Sequence, residues 1–239
     1  GTRTINNANT KAIYAFDSIS IGEHLILNLG GRFDSFTSKA KLPLSGGVRP
    51  EVRRKDDIFN YQAGLIFKPV SNVSLYASYA TAATPPNSLL GEGQEQNSLG
   101  SVQAAAEALR VERTKSMEAG AKADLFDSRL SLTAAIFQTE TKNARVTSDA
   151  NTVQFIGERR IRGAELGFNG TILPNWTVFG GYTYLDAKIV DGGFTILTAP
   201  AVPGQLAKTV AVPSVNTGKQ FPQTAKHSFT LWTNVEPVK

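Results

Sequence analysis

Glu118 and Glu165 are the first residues of this 239-residue chain that could do chemistry, because paired carboxyls can serve as acid and base on a glycosidic bond. Both fall on the polar side of alternating segments, beside Glu112, Lys122, Arg32, Asp34 and Lys68. Charges of both signs on one wetted face satisfy one another and water, so no catalytic residue is assigned and no enzyme is expected. His24 and His227 belong to different segments, and the chain has no Cys. A metal site needs three or four converging ligands, so no metal is expected either. Gly91 to Gly93 lacks the remaining glycines of a nucleotide fingerprint, and no cofactor follows from it. The basic residues Lys39, Lys41, Arg49, Arg53, Arg54 and Lys55, set against Glu51 and Asp56, form the densest charge cluster. A second polar stretch holds Phe194, Lys208, Lys219 and Phe221.

The elements that position these residues are strands. Apolar residues make up 41% and charged residues 19%, too hydrophobic for a disordered chain. The net charge of +5 is too small for a nucleic-acid-binding stripe. No apolar run approaches the roughly twenty residues of a membrane helix. The dominant rhythm is period two. Leu25, Leu27, Leu29, Gly31 and Phe33 oppose His24, Asn28, Arg32 and Asp34. Phe59, Tyr61, Ala63, Leu65 and Phe67 oppose Asn60, Gln62, Gly64 and Lys68. Val73, Leu75, Ala77 and Tyr79 oppose Ser74, Tyr76, Ser78 and Ala80, and Leu130 to Ile136 repeats the pattern.

Short turns are expected near Gly22, Ser71–Asn72, Asp127–Ser128, Pro174–Asn175 and Glu236–Pro237. They alternate with long polar stretches at Thr37–Asp56, Pro85–Arg110 and Asp191–Pro222, with a tight link at Ser148–Asn151. About nine strands fit, and Ser101 to Arg110 reads as a short helix within a loop. A soluble sandwich would also alternate. However, Glu112–Leu125 and Gly157–Ile172 run well past the five or six residues of an average soluble strand. Aromatics near strand ends (Trp176, Tyr182, Tyr184, Phe33, Phe36, Phe59, Tyr61, Phe67 and Tyr79) suit interfacial girdles. The fold class expected is all-β, an antiparallel transmembrane β-barrel segment with long extracellular loops and short periplasmic turns.

Glu112 to Phe137, with Glu112, Glu118, Gly120, Lys122, Leu130, Leu132 and Phe137, resembles a hairpin of the TonB-dependent outer-membrane receptors. Arg160 to Gly170 (Gly163, Glu165, Leu166), Asn175 to Ile189 and Pro222 to Asn234 follow in family order. Lys11 to Ile19 with Leu25 to Phe36 matches an upstream hairpin, and Val111 departs from the Pro common before the Glu. The likeness is to the ferric-siderophore branch. It implies that residues 1–239 are a partial barrel domain, about nine of about 22 strands, without the plug and the final strands. It further implies a monomeric barrel in the Gram-negative outer membrane, importing a ferric siderophore, catecholate type favoured, by TonB-coupled transport. The iron arrives as substrate, already chelated. Implied partners are the siderophore, the TonB–ExbB–ExbD complex through other parts of the receptor, and outer-membrane lipid with lipopolysaccharide. Another cargo, such as haem, cobalamin or a glycan, and a passive porin are the alternatives. Ferric catecholates are anionic and flat, so the loop residues expected at the ligand are Lys39, Lys41, Arg49, Arg53, Arg54, Phe194, Lys208 and Phe221. Lipopolysaccharide phosphates are the other expected contact of the same bases.

Overall fold

The computed structural model of the chain describes residues 5–41, 48, 51–85, 111–149, 152–155, 157–198 and 209–236. Nine long strands make one antiparallel sheet: β1 (Ile5–Ile21), β2 (Leu25–Lys41), β3 (Glu51–Val70), β4 (Val73–Thr84), β5 (Glu112–Leu125), β6 (Leu130–Lys142), β9 (Glu158–Leu173), β10 (Trp176–Asp191) and β13 (His227–Val235). Each pairs with its neighbour in that order, so the sheet is a meander. Two small hairpins stand apart from it: β7 (Arg145–Asp149) with β8 (Thr152–Phe155), and β11 (Phe194–Thr198) with β12 (Thr209–Pro213).

Two expectations about the connections change. The stretch from Thr37 to Asp56 is mostly strand, since β2 continues to Lys41 and β3 starts at Glu51 in unbroken register. The stretch from Asp191 to Pro222 carries the β11–β12 hairpin. The helix expected at 101–110 lies outside the described residues. At the other rim, all hairpin turns are short, and the β5–β6 turn passes through left-handed Phe126, Asp127 and Ser128 (φ 55°, 55° and 63°). Side chains stitch adjacent hairpins together there. Asn72 Nδ2 donates to the Asp124 carbonyl at 3.0 Å while the Asp124 amide donates to the Asn72 carbonyl at 2.8 Å. Asn175 and Glu236 repeat the arrangement at 2.9 and 2.8 Å.

The register gives the sheet one apolar and one polar face. From the short-turn rim upward, the apolar face reads Leu25, Leu27, Leu29, Gly31, Phe33 on β2 and Phe67, Leu65, Ala63, Tyr61, Phe59 on β3. On β5 and β6 it reads Leu125, Ala123, Ala121, Ala119, Met117 and Leu130, Leu132, Ala134, Ile136. Many of these large side chains are exposed, including Phe59 at 58% and Ile136 at 65%. Eight steps from Leu25 to Phe33 cover about 27 Å, or about 21 Å at a barrel tilt of ~40°. That approaches the ~25 Å apolar band of an outer-membrane barrel. Above the band the same face turns charged: Lys39, Lys41, Arg53 and Lys55 on β2 and β3, Arg113 and Lys115 on β5, Arg160 and Arg162 on β9. Phe36 departs from the expected girdle. It follows Asp34 on the polar face and is buried, at 3% exposure, because residues one apart in a strand point to opposite sides.

Glycines face aromatics directly across the sheet. Tyr76 opposes Gly120, Phe137 opposes Gly163, Phe168 opposes Gly180 and Phe16 opposes Gly30. A Cβ at Gly120 would stand 2.6 Å from the Tyr76 ring and 2.7 Å from the Ala134 carbonyl. The ring lies in the space a side chain would occupy, which holds both strands in register.

Candidate ligand site at the mouth of the polar face

The polar face carries Arg32, Asp34, Glu112, Glu118, Lys122 and Glu165, as their parity requires. At mid-height, Tyr76 Oη donates to Glu118 Oε1 at 2.6 Å. Hydroxyl pairs Thr114–Thr141 and Ser116–Thr139, each at 3.2 Å, continue the row upward between β5 and β6. Glu118 and Glu165 stand on β5 and β9 with β6 between them. Two strand spacings and a two-residue offset in register, Glu118 opposite Phe137 and Glu165 opposite Ala135, put their backbones about 12 Å apart. His24 Nδ1 donates to the Lys68 carbonyl at 2.7 Å, and His227 bonds Tyr182 Oη at 2.7 Å. Among the described residues no group of three metal-ligating side chains converges.

Away from the short turns, this face becomes a packed and charged mouth. Asp34, Phe36, Ser38, Ala40 and Ile58 are buried on one side of it, and Glu112, Thr141, Ala187 and Ile189 on the other. Arg32 grips Asp34 with Nε and Nη2, both at 2.8 Å, and Arg54 Nε reaches Asp56 at 2.8 Å. A pocket of about 360 Å³ opens between Thr10, Arg32, Asp34, Phe36, Ile58 and Asn60. Across the mouth, Arg159 Nη2 meets Glu112 Oε1 at 3.2 Å, and its guanidinium lies 5.9 Å from the Phe221 ring centroid. The segment bearing Phe221 is fastened to the β10 edge, through Phe221 N to the Ala187 carbonyl at 3.0 Å and Ile189 N to the Lys219 carbonyl at 2.9 Å.

The residues expected at the ligand therefore separate. Arg54 and Phe221 sit at the mouth. Lys39, Lys41 and Arg53 stand on the opposite, outward face of β2 and β3. Phe194 opens β11 opposite Pro213 in the register. Arg49 and Lys208 lie outside the described residues. Arg159 was missed, although its parity with Ile161, Gly163 and Glu165 puts it on the polar face.

Residues 1–237 match the family model described as TonB dependent receptor-like, beta-barrel. The chain is 35% identical over 223 residues to the probable TonB-dependent siderophore receptor PiuA of Acinetobacter baumannii, covering 93% of this chain and 28% of that protein. It is 28% identical over 261 residues to the catecholate siderophore receptor Fiu of Escherichia coli K12, covering 98% of this chain and 31% of that one. The crystal structure of PiuA superposes with a TM-score of 0.69 at 31% identity, over 96% of this chain and 31% of that one. The chain thus spans 28–31% of the length of these curated relatives. An apolar band of barrel height, a charged inner face and a family match along residues 1–237 agree: the chain belongs to the TonB-dependent receptor family, as part of its outer-membrane β-barrel.

Proposed function

We propose that this chain forms about nine strands of the wall of a barrel of about 22 strands, and that the receptor imports a ferric siderophore, of catecholate type, by TonB-coupled transport. The polar face lines the lumen, the short turns face the periplasm and the mouth faces outward. The observation that carries the cargo is the pairing of Arg159 with Phe221 at the lumenal mouth, joined to the likeness to Fiu along 98% of the chain. A guanidinium beside an aromatic ring offers an anionic, flat chelate both attraction and a stacking surface. No residue of the chain is given a chemical step. The ligand docks from outside, and the TonB–ExbB–ExbD complex, acting through other parts of the receptor, supplies the work.

Uptake of iron-labelled catecholate and haem, and of cobalt-labelled cobalamin, by cells expressing the complete receptor tests this. Ferric catecholate enters in a TonB-dependent manner, whereas haem and cobalamin give no receptor-dependent uptake. Arg159→Ala weakens ferric-catecholate binding about tenfold, the size of one charge-assisted contact. Uptake that persists without TonB would make the barrel a passive pore. Preference for haem or cobalamin would move it to another cargo.

A further inference from the structure

Asp17 interrupts the outward apolar row of β1. Leu29 stands directly opposite it, with Leu27 and Gly31 on the diagonals. The carboxylate therefore lies midway between Leu25 at the short-turn rim and Phe33 at the top of the band. Between those two levels, no other outward residue of β1, β2 or β3 carries a carboxylate or a cation. Among the described residues Asp17 makes one hydrogen bond, accepting from the Ser18 amide at 2.9 Å. We propose that Asp17 forms an ion pair across the free edge of β1, with a lysine or arginine on the outward face of the strand that covers this edge in the complete barrel, and that the pair fixes the register of that seam. The proposal rests on the reading that the apolar face lies in the outer membrane.

The partner must come from the free edge. Leu27, Leu29 and Gly31 offer no side-chain donor, so β2 cannot supply one. β1 is an end of the nine-stranded sheet, and its second edge has to be covered in lipid. A charge on the lipid face of a barrel costs most near the bilayer middle, so an ionisable residue there calls for a partner. A Ser or Thr hydroxyl would satisfy an oxygen but leave the net charge in hydrocarbon. A cation with donors to spare answers both demands. Cβ atoms directly opposite across a sheet lie about 5 Å apart and diagonal ones about 7–8 Å. The cation therefore stands opposite Asp17 or one pleat repeat away, within reach of a long stem. The register argument is independent of the cost. Sliding a strand by two residues along β1 keeps every lipid-facing and lumen-facing side chain on its proper side. Ile13, Ala15, Ile19 and Ile21 would pack against an apolar neighbour in any of those registers. Asp17 alone tells them apart, and setting alignment between apolar surfaces is the best-attested use of such a pair.

The test uses the complete receptor, freed of any native cysteine. Disulfide formation between I19C and cysteines walked along the strand beside β1 maps the register and identifies the residue facing Asp17. A lysine or arginine is expected opposite it or one pleat repeat away. In detergent, D17N keeps the hydrogen bonding but removes the charge, and it lowers the thermal midpoint by about 3 °C. D17K sets two cations together and lowers it further, and changing the mapped cation to Glu in that background restores it. A facing residue without positive charge, an unchanged midpoint in D17N, or no restoration by the swap overturns the proposal. A disulfide that joins two receptors through I19C would put a second copy on this edge and overturns it as well. Quenching of a fluorophore on I13C by brominated lipid reports the bilayer reading separately. If quenching is absent, that reading fails and the proposal with it; if it is present while D17N melts like wild type, only the ion pair fails. None of these measurements depends on which cargo is imported.

Discussion

Tyr76 and Gly120 face each other across β4 and β5, and the ring continues to Glu118. This explains why a glycine sits among strand-formers. Gly120→Ala should lower the receptor's stability by about 1–3 kcal/mol by pushing the ring off its neighbour. Gly64→Ala is the control, since its nearest neighbour would be Asn28 Cβ at 3.7 Å, and it should be nearly silent. Thermal melts of both variants in detergent distinguish them, and equal losses would refute the packing account. Tyr76→Phe keeps the ring but removes the hydroxyl, leaving Glu118 without its donor. A hydrogen bond to a charged group contributes about 1.5–3 kcal/mol, so this variant should melt earlier although Gly120 stays covered. An unchanged midpoint would mean that water replaces the hydroxyl at no cost.

Between strands, the short-turn rim is tied by the same asparagine device twice, at Asn72–Asp124 and Asn175–Glu236. Asn72→Ala and Asn175→Ala should each cost about 1 kcal/mol, and the double variant about the sum, since the two sites share no partner. Unfolding midpoints of the two single variants and the double variant check this. The turns themselves were legible in the sequence, as were the strand parities from Leu25 to Phe33 and from Phe59 to Phe67, because lipid and lumen impose opposite polarity on alternate residues. Above the band both faces meet polar surroundings. Thr37 to Lys41 and Glu51 to Asp56 therefore carry no dry row, and these paired strands read as loop. Aromatic type misplaced Phe36 where parity alone would have set it on the polar face. The basic residues expected at the ligand divide between the faces for the same reason. Arg53 and Arg54 are adjacent in sequence, but one faces outward and the other faces the mouth. The meeting of Arg159 with Phe221 depends on how the segment before β13 folds back on β10, which no local pattern encodes.

At the scale of the molecule, β1 and β13 are the ends of the nine-stranded sheet and do not pair with each other. Unpaired strand edges are not tolerated in lipid. Residues 1–239 expressed alone should therefore aggregate, and should lack the heat-modifiable electrophoretic shift expected of a closed barrel. A monodisperse, heat-modifiable fragment would overturn this. The β2–β3 ladder has a different consequence. Its eight residues beyond Phe33 rise about 21 Å further at a barrel tilt of ~40°, ending at Lys41 opposite Glu51. The chain contains no native thiol, so a cysteine placed at position 39 or 53 would be this segment's sole maleimide target. It would stand on a stiff mast, open to reagents added to intact bacteria, and would count receptors at the cell surface without opening the cell.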